Sequence, residues 1–436
     1  MRLTILQEMM DMAKEYYERI ADRILADKLE SKGAVLIKGA KWCGKTTTAV
    51  NIAKSVIYME DSEKKQQYLQ LAEVNPARLL QGDVPHLIDE WQLAPKLWDA
   101  VRFEVDQRDE FGQFILTGSA VPPDSSEISH TGTGRITSLL MRPMSLYESR
   151  NSDGSVSLSD LFSGGEDIDG SCGMTLDELT FLICRGGWPK GIGKKKKVAL
   201  AQAPDYYDSL VESDISRVDG VERDPEKARR VMRAYSRSVA SETSITALLE
   251  DVRGNDAGSF SENTLRSYLS AFRKIFVIED VPAWNPNLRS KTAIRSSDTR
   301  YLVDPSVATA ALGIGPEDLV NDLNTAGLLF ENMCVRDVRI YAEALGGDIY
   351  HYRDRNGLEC DTVIHLRNGK YGLIEIKLGG DKLIEEGSAN LIRLRERIDF
   401  NKMKEPSFMM VLCGVAPFAY RRKDGVLVVP IGCLKP

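Results

Sequence analysis

The chain has 436 residues, a formal net charge of −7, 43% hydrophobic and 28% charged residues. That length exceeds one ordinary core, so two to four domains are expected, and the acidic balance excludes a basic coat for nucleic acid over the whole surface. No run reaches the roughly twenty apolar residues of a membrane span, because the longest candidate, Phe408 to Tyr420, is broken by Gly414 and Pro417.

The start turns charged within a few residues, which argues against a secretory leader. Seven cysteines form no CxxC pair and four histidines show no zinc spacing. Both features suit reduced thiols in a cytoplasm. Residues 12–30 carry Tyr16, Ile20, Ile24, Leu25 and Leu29 at helical spacing, giving a leading helix. Ala34-Val35-Leu36-Ile37 then reads as a buried parallel strand.

That strand runs into Gly39-Ala40-Lys41-Trp42-Cys43-Gly44-Lys45-Thr46, an intact G-x₄-G-K-[ST] loop. Gly39 and Gly44 let successive backbone N–H groups turn towards a polyphosphate, and the following helix points its positive end there. Lys45 is placed to neutralise the β- and γ-phosphates and Thr46 to offer a hydroxyl to Mg²⁺; residues Gly39 to Thr46 with Thr47 form the expected ATP cradle.

Val84-Pro85-His86-Leu87-Ile88 is a second short strand ending in Asp89-Glu90. Asp89 would hold Mg²⁺ and Glu90 would polarise an attacking water. A third run, Phe114-Ile115-Leu116, ends in Thr117-Gly118-Ser119, whose two hydroxyls either orient that water or belong to a plain turn.

The order P-loop, Ile88-Asp89-Glu90, Leu116-Thr117-Gly118-Ser119, Gly134-Arg135-Ile136 and Leu140-Met141-Arg142-Pro143-Met144-Ser145-Leu146-Tyr147-Glu148 resembles the prokaryotic AAA-type ATPases that carry an uncharacterised C-terminal domain. The resemblance implies that Arg135 acts as an arginine finger on a neighbouring subunit's nucleotide in a homo-oligomer. The alternative is an arginine paired within its own domain.

Asn151 to Gly173 is rich in Ser, Gly and Asp and reads as a mobile loop or linker. Arg185-Gly186-Gly187-Trp188-Pro189 is a sharp turn, and Lys194 to Lys197 is either a solvated face or a phosphate contact. Leu265, Tyr268, Leu269 and Phe272 behind Ser261 place a helix over Glu262 to Lys274, with Arg266, Ser267, Ser270 and Arg273 outward. Strand candidates at Phe276-Val277-Ile278 and Tyr301-Leu302-Val303 flank Arg289, Lys291, Arg295 and Arg300. Helices and ribbon resemble a winged helix, which would set that helix in a DNA groove or pack it against a partner.

Leu373-Ile374-Glu375-Ile376-Lys377 is an E-x-K on a strand, so period-two alternation points Glu375 and Lys377 to one side. Asp361 lies upstream and Glu331 precedes it on a helical segment. A two-residue loop at Asn368-Gly369 would put Asp361 on the face opposite Glu375. A three-residue loop with Gly369 left-handed pairs Leu366 with Lys370 and brings Asp361 opposite Glu375, with Ile364, Leu366, Ile374 and Ile376 on one apolar face. The three-residue loop is expected.

This set resembles that of PD-(D/E)XK nucleases. The resemblance implies that Asp361 and Glu375 hold a divalent metal, Glu331 supports its shell and Lys377 positions or activates the attacking water. Leu383 to Ile398 is a covering helix, and runs from Phe408, Phe418 and Val426 supply closing strands.

The expected fold is therefore multidomain α/β. Residues 1–150 form a P-loop AAA+ ATPase core, 151–222 a linker and helical connector, 223–315 a winged helix, and 316–436 a PD-(D/E)XK restriction-endonuclease-like domain. The expected function is ATP hydrolysis with Mg²⁺ and DNA as partner, with nuclease chemistry behind it. The alternative is a nucleotide-gated regulator whose C-terminal domain binds without cutting.

Overall fold

The fold is described from a computed structural model, covering residues 16–119, 132–165, 168–254, 260–286 and 297–436. The leading helix α1 spans Ile20–Leu29 and buries Ala21, Leu25 and Leu29; residues 12–15 of the expected helix lie outside the described residues. A five-stranded sheet follows: β1 (Ala34–Lys38), β2 (Ser55–Tyr58), β3 (His86–Asp89), β4 (Phe114–Gly118) and β5 (Ile136–Leu140). Its order is β2-β3-β4-β1-β5 and every pairing is parallel. β3 and β4 are buried along their whole length, which is why each carries consecutive apolar residues, Leu87-Ile88 and Phe114-Ile115-Leu116, rather than alternating ones. Helices α2 (Lys45–Ile52), α3 (Lys65–Val74) and α4 (Lys96–Arg108) make the crossovers.

Parallel strands in one sheet put all their carboxyl ends on one edge, and ligands of open α/β sheets gather there. The loops after β1, β3 and β4 hence converge.

The segment expected to be a linker is instead packed structure. β6 (Val156–Ser157) pairs in parallel with β14 (Leu434–Lys435) at the far end of the chain. Between them α5 (Leu158–Ser163) buries Leu158, Leu161 and Phe162, and β7 (Gly170–Ser171) pairs antiparallel with β12 (Phe418–Arg421). Small and polar residues there serve tight turns and close approaches, which composition alone does not separate from a flexible tether.

A helical region follows: α6 (Leu176–Arg185), α7 (Lys196–Ser209), a π-helical turn at Leu210–Asp214, α8 (Ile215–Arg217), α9 (Pro225–Arg237), α10 (Ile245–Arg253) and α11 (Glu262–Lys274). The lysine run 194–197 is exposed at the start of α7. α11 has the expected bounds, and the Ser261 hydroxyl accepts the Thr264 N–H at its start. The strand expected at Phe276 to Ile278 is reduced to isolated antiparallel bridges, Ile278 with Leu302 and Val281 with Thr299. Arg289, Lys291 and Arg295 lie outside the described residues. Arg300, the last of that basic stretch, is buried, donating to the Thr243 carbonyl at 2.6 Å and lying over the Tyr235 ring.

α12 (Pro305–Leu312), α13 (Pro316–Asn321) and the long α14 (Leu323–Ala344) lead into a seven-stranded sheet. Its remaining strands are β8 (Gly347–Arg353), β9 (Glu359–Leu366), β10 (Tyr371–Gly379), β11 (Phe408–Val415) and β13 (Leu427–Pro430), in the order β7-β12-β13-β11-β10-β9-β8. One face of this sheet, with Ile364, Leu366, Ile374 and Ile376, packs into the core that holds α14. The other, with Val363, Tyr371 and Leu373, is covered by Ile384, Leu391 and Leu394 of α15 (Asp381–Arg397).

Buried charge joins the two sheets. The Arg142 guanidinium, after β5, meets the Glu279 carboxylate at 2.6 Å and Glu343 of α14 at 2.8 Å, while Arg339 reaches Glu279 at 2.7 Å. Burial alone would raise the Glu279 pKa, but the two arginines overrule it and hold the carboxyl down at about 2. A depressed acid stabilises the fold fully above its ordinary value near 4.5 and loses that contribution as pH falls towards 2. Glu279→Gln is expected to lower the denaturation midpoint at neutral pH and to flatten its decline between those limits, as read from midpoints at several pH values.

Candidate functional site

At the end of β1 the loop closes around Gly39, whose φ of 150° and tight approach leave no room for a side chain: a Cβ would lie 2.0 Å from the Met141 carbonyl oxygen. Gly44, at φ 102°, directs the chain into α2. The Lys45 ammonium donates to the carbonyls of Gly39 at 3.0 Å and Ala40 at 2.9 Å, so it is held at the centre of its own loop.

The three strand ends meet as the sequence indicates. The hydroxyls of Thr46 and Thr117 both donate to Asp89 Oδ1, at 2.7 and 2.5 Å. The backbone N–H of Glu90 donates to Thr117 Oγ1 at 3.2 Å. Ser119 Oγ donates to Glu90 Oε2 at 3.3 Å, and Gln92 donates to the same oxygen. Glu90 takes a left-handed conformation, φ 57°, which a non-glycine residue adopts only when its surroundings impose it. Burial raises its pKa, and nearby Lys45 opposes that rise. A half-buried carboxylate with raised basicity, beside two hydroxyls, is suited to take a proton from water. Thr46 and Asp89 supply hard oxygen donors 2.7 Å apart, a set that suits Mg²⁺.

Three contacts on the loop had no sequence signal. Arg19, just before α1, donates to the Cys43 carbonyl at 2.8 Å, to the Arg142 carbonyl at 2.8 Å and to the Glu148 carboxylate at 3.0 Å. Lys41 pairs with Asp214 at 2.6 Å, and Trp42 lies 5.6 Å from Tyr206, ring to ring. Partners up to 173 residues apart leave no local periodicity to read; only Glu148, within the quoted motif, hinted at a fixed position.

Arg135 precedes β5 at the amino-terminal edge of the sheet, opposite the P-loop, since Ala34 pairs with Ile136. It pairs with Asp106 at 2.6 Å and remains half exposed. In the single chain it is thus bound within its own domain, the second of the two arrangements expected for it.

In the C-terminal sheet the three-residue loop is present. Leu366 N–H donates to the Lys370 carbonyl at 2.8 Å, Gly369 N–H to the Leu366 carbonyl at 2.9 Å, and Gly369 has φ 82°. The register continues through Tyr371 with His365 to Ile374 with Thr362, so Asp361 and Glu375 share a side. Asp361 Oδ2 accepts the Ile376 N–H at 2.7 Å, and the Lys377 ammonium lies 2.7 Å from Glu375 and 3.3 Å from Asp361. Glu331 accepts a hydrogen bond from the Tyr301 hydroxyl at 2.5 Å.

The four expected residues are therefore neighbours, with the Lys377 ammonium within reach of both Asp361 and Glu375. Among the described residues no three His, Cys, Asp or Glu side chains are grouped to hold a metal ion. The Lys377 ammonium lies between the Asp361 and Glu375 carboxylates and pairs with both. Burial, then the Asp361 charge, raise the Glu375 pKa; burial opposes the Lys377 charge, but Asp361 and Glu375 outweigh it and raise that pKa too. Glu331 is raised by burial and by Asp361.

Removing the ammonium strands two buried carboxylates. Lys377→Met is expected to cost about 3–5 kcal/mol in chemical denaturation at neutral pH, and Glu375→Gln in the same chain is expected to restore part of it.

Three family models match successive parts of the chain: an AAA domain over residues 31–149, a domain of unknown function (DUF8612) over 176–318, and a second (DUF4143) over 326–434. No curated protein matches. Among solved structures, a Walker-type ATPase of Pyrococcus abyssi is similar at 15% identity and a TM-score of 0.41, covering 69% of this chain and 97% of its own. The AAA match and the P-loop sheet support a P-loop ATPase core of the AAA type that binds and hydrolyses ATP. No helix among the described residues is long and apolar enough to cross a membrane.

Proposed function

We propose that the chain is an ATP-hydrolysing motor or switch that acts on DNA, with hydrolysis carried by Lys45, Thr46, Asp89, Glu90, Thr117 and Ser119. The observation behind this reading is the convergence of the Thr46 and Thr117 hydroxyls on one carboxylate oxygen of Asp89, with Glu90 next in the chain. The loop N–H groups from Gly39 to Thr47 and the Lys45 ammonium bind and orient the phosphates. Mg²⁺ bound by Thr46 and Asp89 would neutralise charge on the β- and γ-phosphates. Glu90 takes the proton of the attacking water, and Ser119 fixes the carboxylate that does so. Arg135 acts in trans in a homo-oligomer: its exposed pair with Asp106 is worth little, so a neighbour's phosphate could compete for it.

Transmission runs through charge. Arg19 bonds a P-loop carbonyl and the Arg142 carbonyl, and Arg142 holds Glu279 and Glu343. A change at the phosphates thereby reaches the helical region and α14 without crossing a flexible tether.

For the C-terminal domain the leading reading is a binding module, winged-helix region included, in which the lysine neutralises Asp361 and Glu375 and no bond is cut. A second reading, a PD-(D/E)XK nuclease, is favoured by the shared side of Asp361 and Glu375 and by the full burial of the Glu375 carboxylate beside the Lys377 ammonium. Purified protein with Mg²⁺ or Mn²⁺, with and without ATP, on single-stranded, duplex and branched DNA separates them. Metal-dependent nicking lost in Glu375→Ala establishes the second reading; intact DNA throughout leaves the first.

Lys45→Ala is expected to lose ATP turnover together with ATP affinity. Glu90→Gln is expected to keep affinity while slowing turnover by roughly 10²–10⁴-fold. A Glu90→Gln chain that hydrolyses ATP at the wild-type rate would remove Glu90 from the mechanism.

A further inference from the structure

α9 and the end of α10 enclose an open hollow of about 430 Å³ lined by Arg230, Arg233, Arg237, Asp251, Val252, Arg253 and Gly254. Arg230, Arg233 and Arg237 stand at i, i+3 and i+7, so they share one face of α9. Among the described residues that line it, four guanidiniums accompany a single carboxylate. In an acidic chain of net charge −7 this is a local reversal of sign.

The arginines have different duties. Arg230 donates to the carbonyls of Val252, at 2.7 Å, and Arg253, at 3.2 Å, closing the end of α10. Arg237 pairs with Asp251 at 2.6 Å, and Arg253 Nε donates to the Phe260 carbonyl at 2.8 Å. Arg233 is exposed and makes no ion pair among the described residues. By contrast Arg229, also on α9, is neutralised by Glu226 and Glu212. On α11 the arginines are likewise taken, Arg266 by Glu262 at 2.7 Å and Arg273 by Asp280 at 2.8 Å.

We infer that the hollow between α9 and α10 binds the phosphodiester backbone of DNA, with Arg233 as its leading contact and Arg237 and Arg253 beside it. The inference rests on the DNA-acting reading above and moves its contact surface from α11 to α9. Guanidinium forks suit phosphate oxygens two at a time, and an open groove admits a strand without reading its bases. Binding there is sequence-tolerant and steeply salt-dependent.

The test is fluorescence anisotropy of the full chain with labelled single-stranded and duplex DNA of mixed sequence, between about 50 and 200 mM salt. Arg233→Glu is expected to weaken binding roughly tenfold, and Arg233→Ala to lower the salt slope by about 1. Arg266→Glu on α11 is expected to leave affinity unchanged, and all variants to keep ATP turnover without DNA. DNA binding that survives Arg233→Glu unweakened, or is lost in Arg266→Glu, overturns the groove while sparing the DNA reading. Wild-type protein that binds no DNA at low salt overturns both. Displacement by inorganic phosphate as effective, per phosphate, as that by unlabelled DNA makes the hollow a small-anion site and also overturns the inference.

Discussion

The nucleotide site depends on one oxygen atom. Asp89 Oδ1 accepts from hydroxyls that begin α2 and end β4, so the ends of three strands are fixed by one carboxylate at the sheet's carboxyl edge. A parallel sheet with β1 between β4 and β5 and β3 beside β4 is the arrangement that makes this possible. Remove the order and the P-loop, the acids and the hydroxyls no longer meet. Glu90 inherits its backbone strain and its orientation from the same place, because its N–H is tied to Thr117.

Around that point the chain invests buried charge rather than hydrophobic surface alone. Arg19, Glu148, Arg142, Glu279, Arg339 and Glu343 form a path of paired groups from the loop to α14. Buried pairs add little net stability but are costly to leave half made. Such a path ties the loop after β1 to α14 through paired charges rather than through a tether. A second network at Asp304, Arg336 and Asp337 fixes the Gly186-Gly187 turn to α14, where Gly187 N–H donates to Asp304 at 2.9 Å and Arg336 meets both acids at 2.7 Å.

Legibility in the sequence followed the range of the interactions. The P-loop, the strands leading to Asp89 and Thr117, α11 with its Ser261 cap, and the Asn368-Gly369 turn were all readable, because each rests on contacts within a few residues or on strict alternation. The turn mattered most: whether Asp361 shares a side with Glu375 depends on one residue of loop length. Reading the segment 151–173 as a linker failed because its order comes from β12 and β14, more than 240 positions later, as Leu434 with Val156 illustrates. The expected set gave Lys377 a role towards the attacking water, and the structure places its ammonium between Asp361 and Glu375. On a strand, residues two apart share a side, and the same spacing that aimed the lysine at the site delivered its ammonium into it. Arg19 and Asp214 were invisible, as single charged residues whose partners lie in other elements.

The account stands on Asp89 tying the site together, so the most direct measurement is the Mg²⁺ dependence of ATP turnover in Asp89→Ala beside wild type. The expected result is near-complete loss of Mg²⁺-supported hydrolysis in a chain with an unchanged circular-dichroism spectrum. Turnover at the wild-type rate and with the wild-type Mg²⁺ requirement would contradict it.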